Sequence, residues 1–137
     1  MLYIHDGVLL DPASPDPQVY IETRGLVTER HEILLPGRNS EPDWLRRGRN
    51  LPESPDDPGT PDRYVIPRFT EQDGNVLEIF VDLWNVSKTE QDFHLIVEIH
   101  QADYEPDVLY NVKGKISAKD SDRHEGFGVF VPLVLMS

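Results

Sequence analysis

Cysteine is missing from all 137 residues, which excludes disulfides, thiolate zinc sites, iron–sulfur clusters and cysteine nucleophiles. Basic side chains are scarce: 13 Lys and Arg stand against 25 Asp and Glu, a net charge of −12. That balance argues against nucleic acid or an anionic membrane as a partner held by bulk charge. No run reaches the ~18 apolar residues of a membrane span. The opening Met1-Leu-Tyr-Ile-His-Asp-Gly has neither the basic nor the apolar region of a secretory leader. With no leader and no cysteine, the expected location is cytoplasmic.

Motifs of catalysis are also missing. The chain holds no Gly-x-Ser-x-Gly elbow, P-loop, His-Glu-x-x-His or Gly-x-Gly-x-x-Gly pattern, each of which carries a specific chemistry. Paired acids such as Glu78 and Glu98 suit glycoside hydrolysis in principle. A domain of this size would give them only a shallow cleft, and the expectation is a protein without enzymatic activity.

What is present is alternation. Residues 76–84 set Leu77, Ile79, Val81 and Leu83 on one face, against Val76, Glu78, Phe80, Asp82 and Trp84 on the other. Residues 93–101 repeat the pattern, with Phe93, Leu95, Val97 and Ile99 opposed to His94, Ile96, Glu98 and His100. A period of two means strands with one buried face. The polar connector Asn85 to Asp92 predicts an antiparallel pair with its aliphatic faces matched, one such register setting Val81 opposite Val97. Residues 76–101 in this respect resemble the central hairpin of immunoglobulin-like bacterial sandwiches, a pattern too widely shared to imply any functional residue.

Further strands are predicted at 2–5, 18–23, 31–35, 63–69, 108–117 and 127–135. Pro132 lies in the last of these and argues for an edge or a bulge there. Gly126 and Gly128 read as marks of a bulge. The fold class is therefore all-β: an antiparallel β-sandwich, immunoglobulin-like or jelly-roll-like, of seven to eight short strands. Residues 1–137 are read as a single domain.

Seven of the twelve prolines fall between Pro36 and Pro67, which predicts one long Pro/Arg-rich loop over about 36–62. At most one short helix is expected, where Ser40 can cap and Asp43 complete a capping box. The same loop holds the chain's one basic concentration, Arg46, Arg47 and Arg49 beside Trp44, with Arg38 and Arg63 flanking.

These features make the chain a non-enzymatic interaction or assembly module that binds another protein, possibly basic, or itself. Its expected contact residues are Trp44, Arg46, Arg47 and Arg49 in the loop, and Phe80, Trp84, His94, Ile96 and Glu98 on one outward face. One alternative is a carbohydrate-binding module stacking sugars on Trp84 and Phe80. Another is an acidic inhibitor or immunity-type protein directed at a basic partner. No cofactor and no metal are expected. Glu98, His100, Asp120, Asp122 and Glu125 are weak ligand candidates: Glu98 and His100 could share an ion along their strand, and weakly held calcium is the ion the loop acids Asp120, Asp122 and Glu125 would suit.

Overall fold

The computed structural model describes residues 1–51, 61–118 and 123–137. Ten strands run through them: β1 (Leu2–Ile4), β2 (Val8–Leu10), β3 (Gln18–Arg24), β4 (Thr28–Leu35), β5 (Trp44–Asn50), β6 (Asp62–Val65), β7 (Val76–Trp84), β8 (Gln91–His100), β9 (Asp107–Ile116) and β10 (His124–Leu135). A single 3-10 turn, Phe69–Glu71, is the only helical element among the described residues. No helix there is long and apolar enough to cross a membrane.

The strands form two sheets. One has the order β1-β10-β7-β4-β5, with β2 also pairing β10; the other has the order β6-β3-β8-β9. Alternation decides what lies between them. Leu77, Ile79, Val81 and Leu83 of β7 are buried, as are Phe93, Leu95, Val97 and Ile99 of β8. They join one hydrophobic cluster with Val19, Ile21, Ile33, Leu35, Val129 and Val131. The two aliphatic faces predicted from the sequence are thus both inward, and they belong to opposite sheets.

That separation corrects the expected β7–β8 pair. β7 lies between β4 and β10, while β8 lies between β3 and β9. The connector is an arch from one sheet to the other. Asn85 holds it from a buried position, donating to the carbonyls of Thr89 (2.8 Å) and Ile116 (2.9 Å) and accepting from the Ser87 amide and hydroxyl. The β3–β4 connection is a second arch beside it, since Thr28 pairs with Trp84 and Arg24 with His94. A polar connector does not reveal which it is, because hairpin and arch both need chain reversal and solvated backbone.

The expected helix near Ser40 is replaced by a turn and a strand. Asn39 and Ser40 sit at φ 53° and 68°, and Asp43 accepts from the Gly37 amide at 2.7 Å. Residues 44–50 then run as β5, adding a ladder to β4 from Leu35–Trp44 to Glu29–Asn50. Those sheet hydrogen bonds outweigh a short helix, which gains little without a packed face. The Pro-rich excursion is thus partly an edge strand, and residues 52–60 of it lie outside the described residues.

Pro132 is not on an edge. It faces Val76 of β7 inside the sheet. Leu133 sends its amide to the Asn75 carbonyl, so by alternation the Pro132 nitrogen faces the other way, toward β1 and β2. There the neighbouring strand is interrupted: Ile4 pairs with Phe130 and Val8 with Leu133, so residues 5–7 form the gap. The missing donor falls where no partner carbonyl waits.

Candidate functional site

The outward face of the first sheet is assembled from five strands. Reading the registers across, Arg49, Arg30, Asp82 and Gly126 form one row. Arg47, Glu32, Phe80, Gly128 and Leu2 form the next, and Leu45, Leu34, Glu78, Phe130 and Ile4 the third. Thr28, Trp84 and His124 close one end.

Apolar side chains are unusually open on this face. Leu2 is 60% exposed, Ile4 73%, Phe80 38% and Trp84 40%. Gly128 lets two of them meet: a Cβ there would come within 2.8 Å of Leu2 Cδ1 and 2.9 Å of Phe80 Cδ1. The glycine is a seat for its neighbours, not a bulge, because β10 pairs with β7 without a shift from His124 to Pro132. Phe80 meets Phe130 edge-on, with centroids 5.9 Å apart at 86°. His124 covers Trp84 at 4.2 Å and bonds Asp82 Oδ1 at 2.8 Å.

Toward β5 the face becomes a groove of about 600 Å³ whose lining includes Arg30, Arg47, Arg49 and Phe80 and, at Gly48, reaches His31. Arg47 pairs with Glu32 at 3.2 Å. Arg30 and Arg49 stand opposite each other in the ladder, and among the described residues neither has a carboxylate partner. Two adjacent like charges on paired strands oppose each other, so this corner favours an incoming acid.

The predicted contact residues are only partly brought together. Phe80, Trp84, Arg47 and Arg49 share this face. Trp44 and Arg46 alternate to the other side of β5, where Arg46 lies 5.2 Å over the Trp44 ring. His94, Ile96 and Glu98 lie on β8, on the outward face of the second sheet, across the whole sandwich from Phe80. The single docking patch expected from β7 and β8 therefore does not exist. It depended on a hairpin, and the arch divides it.

On the second sheet's outward face the central polar groups satisfy one another, while Val65 and Val108 there are open to solvent. Tyr20 stacks on His100 at 4.5 Å and 15°, and Arg63 lies 4.7 Å above Tyr20. His100 bonds Glu98 at 2.8 Å, Tyr20 donates to Glu22 at 2.9 Å, and His94 bonds Asn111 at 2.7 Å. Of the weak ligand candidates, Glu98 and His100 hold each other, Glu125 is exposed at the start of β10, and Asp120 and Asp122 lie outside the described residues. Glu78 is on the first sheet and Glu98 on the second, so these acids cannot flank one bond.

A second group, not singled out from the sequence, is buried between the sheets. Glu29 and His31 occupy successive inward positions of β4 and are 1% and 4% exposed. His31 Nδ1 lies 2.5 Å from Glu29 Oε1 and 3.9 Å from Asp62 Oδ2, while Nε2 lies 2.7 Å from the Tyr64 hydroxyl. Burial, then the charges of Asp62 and Glu29, hold the Tyr64 hydroxyl above the ordinary phenol range, with Arg46 opposing. Gly48 is what makes room, since a Cβ there would come within 2.3 Å of His31 Nε2 and 2.7 Å of the Tyr64 oxygen. The available signal was Thr28-Glu-Arg-His continuing the alternation of 31–35 backwards, which puts two polar side chains on an aliphatic face.

No protein-family model, curated protein or solved structure matches the chain.

Proposed function

We propose that this protein is a non-enzymatic assembly module that associates with a second copy of itself through the outward face of the first sheet. The observation carrying this reading is the open apolar band Leu2, Ile4, Phe80 and Trp84 on a face that would ordinarily be polar when only one side of a sheet is covered. Charge supports the choice of occupant. Arg30, Arg47 and Arg49 balance Glu32, Glu78 and Asp82 on this face, whereas the whole chain carries −12. Two acidic copies meet least repulsion where each is neutral, and a two-fold contact can set Arg30 and Arg49 of one against acids of the other.

A sugar platform is less well supported, because His124 covers one face of Trp84 and Phe80 stands perpendicular to Phe130. The winding supports a jelly-roll-like rather than an immunoglobulin-like sandwich. The paired ribbons β4–β7 and β3–β8 continue into each other over the two adjacent arches.

Sedimentation equilibrium from about 1 to about 200 μM tests the assembly reading. A dimer is expected, with Phe80→Asp and Ile4→Asp each weakening it at least ~10-fold, as loss of a central apolar anchor does. Unchanged circular dichroism would show that both variants still fold. A monomer over the whole range, or a dimer indifferent to both substitutions, would overturn the reading.

A further inference from the structure

Glu29, His31 and Asp62 form a group between the sheets, behind the proposed association face, and we infer that they are a zinc site clamping the two sheets together. β4 supplies the first two from one sheet and β6 the third from the other, and their donor atoms lie within 4.8 Å of one another.

The case begins with burial. Ile33 and Leu35 continue the inward face of β4 and are 0% and 2% exposed, so the fold would accept aliphatic residues at 29 and 31. A buried His–carboxylate pair seldom adds stability over such a replacement. Its presence on an otherwise aliphatic face points to another role. The polar residues are also doubled across the gap: Asp62 and Tyr64, two apart on β6, face the same interior as Val19 and Ile21, their partners on β3. Thr23, one row beyond Ile21 on that side, has a buried hydroxyl with no hydrogen-bond partner among the described residues.

Stoichiometry then points to a cation. Two carboxylates face one ring nitrogen, Glu29 at 2.5 Å and Asp62 at 3.9 Å. Nδ1 offers one proton, which Glu29 takes. A divalent ion would serve both acids and the imidazole at once, the neutral ring then carrying its proton on Nε2 instead of Nδ1. In tetrahedral zinc the bonds of ~2.0–2.2 Å set ligand atoms ~3.3 Å apart, a value between the two distances found. Small side-chain movements in opposite senses reach it.

The surroundings suit the same assignment. Metal-bound imidazoles fix their second nitrogen on an outer partner, and the Tyr64 hydroxyl is placed to do this. Because a hydroxyl both donates and accepts, its oxygen can accept a hydrogen bond from Nε2–H when Nδ1 turns to the ion. Asp62 has a side chain 35% exposed, which leaves an entry path and room for water as the fourth ligand. One nitrogen and two carboxylates are too few oxygens for calcium or magnesium, which take six or more ligands or keep most of their water.

The test is titration of the full chain with zinc chloride by calorimetry, with cobalt(II) absorption as the coordination readout. One equivalent is expected to bind, and Asp62→Asn should weaken it at least ~10-fold. Asp62 is half-exposed, so this variant reports on the site even if His31→Gln fails to fold. His100→Gln and His124→Gln, which remove the surface His–carboxylate pairs, should leave the affinity unchanged. No stoichiometric zinc binding, or binding that survives Asp62→Asn but falls with His100→Gln or His124→Gln, would overturn the assignment.

Discussion

The two outward faces carry similar residues and differ in what those residues do. Each has aromatic, arginine, carboxylate and histidine side chains. On the second sheet they are used up by one another: Arg63 on Tyr20, Tyr20 on His100, His100 on Glu98. On the first, Arg30 and Arg49 lie side by side with no carboxylate ion-paired to either among the described residues, and Leu2 and Ile4 stand largely in solvent. Residue type alone made Glu98 and Phe80 equal candidates. The lesson is that a contact surface is marked by groups left without partners, because only those gain from an incoming molecule.

The sharpest way to break the contrast is Gly128→Val. The new side chain would push into Leu2 and Phe80, costing about 1–3 kcal/mol as overpacking does. Thermal melts should show the loss and sedimentation a weakened dimer together. Stability that falls while association is untouched would put the contact elsewhere.

A smaller effect belongs to the other face. Tyr20→Ala removes the ring between Arg63 and His100 and should lower stability by about 1 kcal/mol, with the dimer constant unmoved. If association fell instead, the satisfied face would be the one in use. Smallest is Arg49→Ser. Relief of the Arg30–Arg49 opposition should leave monomer stability within ~0.5 kcal/mol of the parent. Dimerisation should weaken by a few-fold and lose part of its salt dependence.

Much of this was legible before the fold was known. The inward sets of β7 and β8 follow from alternation, and eight of the ten strands were placed close to their observed positions. β5 was not, because Arg46-Arg47-Gly48-Arg49 has no apolar face. It is a strand only through its ladder to β4, on an edge where arginines suit an exposed strand. β2 was missed because three residues between a gap and a proline-rich turn give no period to count.

The candidate site divides in the same manner. Phe80 and Trp84 could be read as outward from β7 alone, and the arginines as a cluster from their spacing. That Arg47 and Arg49 join Phe80 while Arg46 and Trp44 do not is set by the pleat of β5. The split of His94, Ile96 and Glu98 from Phe80 comes from one arch. The buried Glu29, His31 and Asp62 group needed β4 and β6 to face each other across 30 residues of chain with no pattern linking them.

Composition and a two-residue period settled that this chain makes strands, and which side of each strand is greasy, because side-chain direction along a strand is a local property of the backbone. Which strand lies beside which was decided only when the chain closed into two sheets. Hairpin and arch present the same sequence, and the choice rests on burying both aliphatic faces against each other rather than side by side.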